Sequence, residues 1–92
     1  MKQAVLDGRR IDSMEQVHAI MKSSLSFPDY YGNNLDALND CLTDISEITN
    51  IIIVRKSKLL KNLGTKGEDL IDLLEHISQE HSNVHVQYRH WR

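Results

Sequence analysis

The sequence contains one cysteine, and none of its apolar runs approaches the ~20 residues needed to cross a lipid bilayer. Cys41 has no partner for an internal disulfide, and a lone thiol cannot build a zinc cluster. A chain without disulfides is typical of a reducing compartment, so we expect a cytoplasmic protein that does not associate with membranes. The chain reaches charged residues within its first few positions, which is not the pattern of a signal peptide.

Basic residues are absent from a long central segment. Between residues 23 and 54 there is no lysine, arginine or histidine, and the formal charge of that segment is −5. Its acidic residues are Asp29, Asp36, Asp40, Asp44 and Glu47. The whole chain carries −2, so the remainder carries +3. One acidic face on a nearly neutral protein attracts a cationic partner, and a negative chain lacks the concentrated basic residues of a nucleic-acid-binding protein. We therefore expect a basic protein partner and no direct binding of nucleic acid.

Hydrophobic periodicity predicts seven elements in one domain that spans residues 1–92, and we find no internal repeat. The predicted strands cover residues 3–6, 51–54 and 84–88. The first predicted helix covers about residues 13–25, and the second is capped by Asn33 or Asn34 and ends at Ile45. The last two predicted helices cover residues 57–63 and 68–81, with a permissive linker at 64–67 between them. Strands joined by helical crossovers are parallel, and the crossovers are right-handed. The expected fold class is α/β, a small three-stranded parallel sheet packed with about four helices.

Local signals support the main elements. Ser13 and Gln16 form a capping-box pair at the start of the first helix, and Pro28 prevents that helix from continuing. The unbroken β-branched run at 51–54 favours a strand covered on both faces, as in a sheet flanked by helices. This run should form the centre of the core.

The second helix separates apolar residues from acidic ones. Its inward stripe is spaced three, four and three residues apart, and consists of Leu35, Leu38, Leu42 and Ile45. Asp36, Asp40 and Asp44, here called the aspartate column, are four residues apart, so neighbours lie ~6 Å apart along the helix axis. Each like-charge pair at this spacing costs about 0.2–0.5 kcal/mol. A helix selected only for stability would carry a lysine here, so we interpret the column as a functional surface and not as an ordinary solvated face.

A metal site and a catalytic site are weaker interpretations of the column. Calcium needs roughly six to eight oxygens from a flexible loop, and the Asp-x-Asp-x-Asp-Gly pattern is absent. Acid–base catalysis needs two carboxyl groups in different environments of a concave pocket, whereas a convex helix face exposes both alike. We therefore expect a protein that is not an enzyme, with no catalytic residues, no metal and no cofactor.

The remaining chemically notable residues have ordinary structural interpretations. None of the histidines has a zinc-ligand spacing, so we expect surface or strand-edge positions for His18, His76, His81, His85 and His90. Cys41 should pack at the margin of the core, and Trp91 on the edge of the sheet. The pair Tyr30-Tyr31 has the composition of a binding hot spot, and we expect Tyr31 to be buried and Tyr30 to be available.

One string of the sequence reads Pro28-Asp29-Tyr30-Tyr31-Gly32-Asn33-Asn34-Leu35-Asp36-Ala37-Leu38, with Asp40, Cys41, Leu42 and Thr43 after it. This string resembles the barstar family, intracellular inhibitors of the secreted bacterial ribonuclease barnase. The resemblance extends more weakly over the opening strand, the first helix and residues 70–77. It implies an α/β inhibitor, monomeric when free, that inserts its acidic helix and the preceding loop into the active site of a basic barnase-like ribonuclease and forms a 1:1 complex.

Carried over position by position, the resemblance implies partner contacts at Tyr30, Gly32, Asn34, Leu35, Asp36, Asp40 and Thr43, with Asp40 as the central carboxylate. Asn39 replaces a tryptophan of the family, and Asp44 replaces a small residue; we include both in the partner-binding surface. These nine residues are called the candidate surface below. The alternative interpretation is a barstar-like interaction module whose partner is not a ribonuclease.

Overall fold

The computed structural model describes residues 1–89 and contains one sheet of three parallel strands. Strand β1 spans Lys2–Asp7, β2 spans Thr49–Val54 and β3 spans Val84–Arg89, in the spatial order β1-β2-β3. The four helices are α1 at Met14–Leu25, α2 at Leu35–Thr43, α3 at Lys56–Leu63 and α4 at Thr65–Glu80. The predicted α/β fold class is confirmed. Trp91 and His90 lie outside the described residues, so their positions stay predictions.

The capping signal at the start of α1 forms as predicted. The Ser13 hydroxyl accepts a hydrogen bond from the Gln16 amide at 3.3 Å, and the Gln16 side chain accepts one from the Ser13 amide at 3.2 Å. The helix ends at Leu25, and its C-terminal cap Ser26 has a φ of 56°, in the left-handed region, so the chain leaves the helix before reaching Pro28. Within residues 1–89, no helix is long and apolar enough to cross a membrane.

The linker predicted at residues 64–67 is wrong, and with it the start of the last helix. Gly64 ends α3 with a positive φ of 65°, and α4 begins at the next residue. Gly67 is buried inside α4, where a Cβ atom would lie 2.8 Å from the Cβ of Leu63. The glycine therefore serves close packing of α4 against the end of α3, not chain flexibility. Because α3 and α4 meet so closely, they form a tight helical corner.

Helices cover one face of the sheet, which corrects the expectation of helical cover on both. The connection from β1 to β2 and the connection from β2 to β3 step in the same direction across the sheet. Two right-handed crossovers that step in the same direction lie on the same face of the sheet. On that face Ile51 and Ile53 are fully buried in the core cluster. On the other face Ile52 is also buried, at 8% exposure, but it lies outside that cluster, and its neighbour in β1, Val5, is 42% exposed.

The junction of β1 with the start of α3 leaves no space for a side chain at Gly8. The Gly8 amide donates to the carbonyl of Val54 at 2.9 Å. A Cβ atom on Gly8 would lie 2.5 Å from the carbonyl oxygen of Arg55 and 2.6 Å from the amide nitrogen of Leu59. Both obstacles are backbone atoms, so relief requires moving α3 as a unit.

We expect Gly8→Ala to lower the free energy of unfolding by about 1–3 kcal/mol or more, because overpacking against backbone outweighs the small entropic gain of alanine. Urea denaturation would measure the change. Gly32→Ala is the matched control, since the nearest atom to its new Cβ is a side-chain amide nitrogen of Asn34 at 3.2 Å. Equal stability of the two variants would contradict this account of Gly8.

Candidate functional site

Tyr31 anchors the loop between α1 and α2. Its side chain is only 6% exposed, its ring centroid lies 5.0 Å from that of Phe27, and a hydrogen bond of 2.6 Å joins its hydroxyl to Nδ1 of His18. Tyr30, the preceding residue, is 88% exposed. The predicted division of the tyrosine pair is confirmed. Because Tyr31 is fixed in the core, the chain presents Tyr30 outward beside α2.

The expectation that every histidine lies at the surface or a strand edge is wrong for His18, which is 4% exposed within α1. A signal for its burial was present in the sequence, because His18 continues the helical spacing of Met14, Met21 and Leu25. Burial lowers the pKa of His18. Burial, reinforced by the nearby Cys41, raises the pKa of Tyr31 to about 12. The hydrogen bond therefore joins two neutral groups near pH 7.

Asn34 fixes the start of α2. Its side-chain oxygen accepts a hydrogen bond from the Ala37 amide at 2.8 Å, and its side-chain nitrogen donates to the carbonyl of Gly32 at 3.3 Å. Asn33, the other predicted cap, instead adopts a left-handed φ of 53° in the loop. One side chain thus ties the loop to the first turn of the helix, so Gly32 and Asn34 are positioned together.

The aspartate column lies on the exposed side of α2, as its spacing predicts. Asp36, Asp40 and Asp44 are all exposed, and Leu38 and Leu42 on the opposite side are fully buried. Among residues 1–89, no lysine, arginine or histidine forms an ion pair with any of the three aspartates. Three carboxylates without counter-ions on one face produce a local negative potential, which attracts positive charge.

Several other residues of the inward stripe and of the candidate surface are half-buried, intermediate between core and solvent. Leu35 and Ile45 are only half-buried. Helix α2 ends at Thr43, two residues before the predicted end at Ile45, and Asp44 is its C-terminal cap. Asn39 and Thr43 are half-buried as well, and the Thr43 hydroxyl donates to the carbonyl of Asn39 at 2.8 Å. All nine residues of the candidate surface lie on this loop and helix.

Cys41 lies at the margin of the core, as predicted. Its side chain is half-buried and packs against the core cluster. Burial raises the pKa of the thiol, and the negative charges of Asp40 and Asp44 raise it further. A thiol held protonated is a poor nucleophile and a poor metal ligand. Within residues 1–89, no three histidine, cysteine or acidic side chains converge to hold a metal ion.

A groove of about 740 Å³, here called the α2 groove, lies between the loop before α2 and the second half of that helix. Its lining includes Tyr30, Asp40, Cys41, Thr43 and Asp44, together with Lys2, Leu25, Ser26, Phe27, Pro28, Ile45, Ser46 and Glu47. Sequence reasoning missed this groove, because Lys2 comes from the distant strand β1 and no local pattern links it to α2. The Lys2 ammonium donates to the carbonyl of Leu25 at 2.8 Å and pairs with Glu47 at 3.4 Å.

In α4, the side chain of Glu75 lies against β3 and already takes part in a hydrogen bond. The Tyr88 hydroxyl donates to the Glu75 carboxylate, and the Lys56 ammonium lies 4.9 Å from the centroid of the Tyr88 ring. Burial and the Glu75 carboxylate both raise the pKa of Tyr88. Nε2 of His76 lies 3.4 Å from a carboxylate oxygen of Glu80. Glu75 therefore joins α4 to β3.

Comparison with known proteins places these features in a family. The family model described as "Barstar (barnase inhibitor)" matches residues 1–90. A protein of Bacillus subtilis (strain 168) named "Putative ribonuclease inhibitor YrdF" is 33% identical over 81 residues, which are 87% of this chain and 89% of that protein. The family match spans every strand and helix described above, including the loop and α2.

The burial of His18 predicts a loss of stability in mild acid. Burial lowers the folded-state pKa below the ordinary value of 6.5, so the unfolded chain takes up a proton first as the pH falls. The contribution of His18 is complete above pH 6.5 and is lost below it, with a slope of up to about 1.4 kcal/mol per pH unit. Urea denaturation at several pH values between 7.5 and 5 would measure this slope.

His18→Gln should lower stability at pH 7.5 and flatten the slope, because glutamine does not titrate. His85→Gln, a change at an exposed position of β3, is the matched control and should keep the slope of the unmodified protein. Identical slopes for His18→Gln and the unmodified protein would refute the assignment.

Proposed function

Since the chain belongs to the barstar family, we propose that it inhibits a barnase-like ribonuclease by placing α2 and the loop before it in the enzyme's active site. The observation that carries this proposal is the aspartate column, three exposed carboxylates on one helix face for which residues 1–89 supply no counter-ion. A ribonuclease active site holds cationic groups positioned for phosphate. Carboxylates can form charge-assisted hydrogen bonds with the same groups in place of substrate.

Asp40 is the proposed central contact. It lies in the middle of the column, between Asp36 and Asp44, so cations on either side of it can be neutralised at the same time. A carboxylate in this place offers the enzyme no scissile bond. The inhibitor therefore blocks access of RNA and performs no chemistry, in keeping with a family described as barnase inhibitors.

The loop contributes an aromatic anchor and rigidity. The exposed ring of Tyr30 offers a large contact area with few rotatable bonds, which is the usual composition of a hot spot. Tyr31 in the core and the Asn34 cap hold the loop in one conformation before binding. A preorganised loop loses little conformational entropy on association, which favours tight binding. Gly32 and Leu35 complete the contact surface at the start of α2.

Asn39 and Asp44 favour a second candidate function, a barstar-like interaction module for a partner other than a ribonuclease. Both positions differ from the family pattern, and both lie on the proposed contact face. A half-buried amide at residue 39 and an added carboxylate at residue 44 alter the shape and charge offered to a partner. For either function we propose a 1:1 complex, a monomeric free protein and a cytoplasmic location, the last from the lone free cysteine.

The test is inhibition of a panel of purified barnase-like ribonucleases by the purified protein at micromolar concentration. We expect at least one enzyme to be inhibited, with an association rate that falls steeply as salt is raised, because the attraction is electrostatic. If every enzyme remains fully active, the ribonuclease proposal fails and the second candidate takes its place.

Asp40→Ala should weaken inhibition of the responding enzyme by about 2–5 kcal/mol, the general range for truncating one partner of a buried, hydrogen-bonded charge pair, for which barnase and barstar are themselves a worked example. The physical reason is that the partner's cations would be left desolvated without a carboxylate. Asp69→Ala is the matched control, since Asp69 is exposed on α4 outside the candidate surface. Equal loss in both variants would indicate an effect of net charge and would contradict a central role for Asp40.

A further inference from the structure

The α2 groove extends the binding surface beyond the outer face of α2. One side of the groove carries the ring of Tyr30, which is 88% exposed, and Pro28. The helix contributes Asp40 and Asp44, which are successive members of the aspartate column. The groove therefore combines a planar aromatic surface with two carboxylates.

The charges within the groove are unbalanced. Glu47 is already paired with Lys2 at 3.4 Å, and the same ammonium donates to the carbonyl of Leu25 at 2.8 Å. Lys2 is the single cationic residue among those that line the groove in the described chain. Within residues 1–89, neither Asp40 nor Asp44 forms an ion pair, so the groove is suited to a positive group from outside.

We propose that the α2 groove receives an arginine side chain from a loop of the partner that lies outside the partner's catalytic centre. The proposal rests on the proposed function, which supplies the docking of α2 into a ribonuclease. It adds that the ribonuclease carries an arginine at the rim of its active site. Asp44 is the residue of this chain that selects such an enzyme.

Arginine fits the groove better than lysine does. A guanidinium group is planar, stacks on aromatic rings and forms two parallel hydrogen bonds with one carboxylate. The Tyr30 ring supplies the stacking surface, and Asp44 or Asp40 supplies the carboxylate. Lysine is a compact, strongly hydrated charge that gains less from the ring. A partner with an acidic residue at this place is rejected by charge repulsion.

The groove can be tested without a ribonuclease by NMR titration with a blocked Gly-Arg-Gly peptide. Blocked Gly-Lys-Gly and Gly-citrulline-Gly serve as control peptides, since citrulline has the shape of arginine without its charge. We expect amide shifts at Tyr30, Cys41, Asp44 and Ile45, with the arginine peptide binding more tightly than either control. Shifts spread equally over all exposed acidic residues, or stronger binding of the lysine peptide, would overturn the proposal.

Asp44→Asn should weaken binding of the arginine peptide about two- to fivefold, the effect of one exposed ion pair. Asparagine keeps the size of the side chain at the end of α2, and thermal unfolding would verify that the variant is folded. Asp29→Asn is the matched control, because it removes the same charge from a neighbouring exposed position that does not line the groove. Equal weakening in both variants would overturn the proposal.

The same variants separate this proposal from the proposed function. If a ribonuclease is inhibited and Asp44→Asn inhibits it as tightly as the unmodified protein, the groove proposal fails and the inhibitor proposal stands. If the peptide binds in the groove and no ribonuclease is inhibited, the groove is supported as an arginine site and the inhibitor proposal fails.

Discussion

The handedness of the two crossovers decides which surfaces of the fold are left to solvent. Because the strands follow each other in the order β1-β2-β3, right-handed connections place all four helices on one face of the sheet. Helices α2 and α4 pack against each other in that layer. α2 buries Leu38 and Leu42 and leaves its opposite side to solvent. A helix in an outer layer thus has one face in the core and one in solvent, and the aspartates lie on the second.

The buried contact between Tyr31 and His18 fixes the loop that precedes α2. A loop between two helices is ordinarily a mobile element, but this one has an aromatic side chain in the core at one end and the Asn34 cap at the other. Tyr30 is therefore held beside Asp40 and Asp44 along one groove. The burial of Tyr31 and the exposure of Tyr30 have one cause, which is the packing of the Tyr31 ring in the core.

The sequence was most informative where a pattern repeats locally. Helical spacing located the inward leucines and the aspartate column, and the capping box located the start of α1. Three features needed tertiary information. A glycine at position 67 is compatible with a flexible linker and also with a close contact between helices. Only the packing of Gly67 against Leu63 distinguishes these two possibilities. The polarity of His18 predicts a surface position, whereas its helical spacing predicts burial, and His18 is buried. The α2 groove depends on Lys2, which arrives from another element, so no window of the sequence contains it.

The aspartate column also bears on how long the protein survives in the presence of proteases. Mutual repulsion of the three carboxylates raises the free energy of the folded protein, and a cationic partner of the kind proposed would remove that repulsion on binding. Anything that binds only the folded state reduces the population of opened molecules by mass action. Because proteases cut opened molecules, a free copy is degraded faster than a bound one. Under the proposed function, the aspartate column would thus couple the abundance of the protein to the supply of its partner.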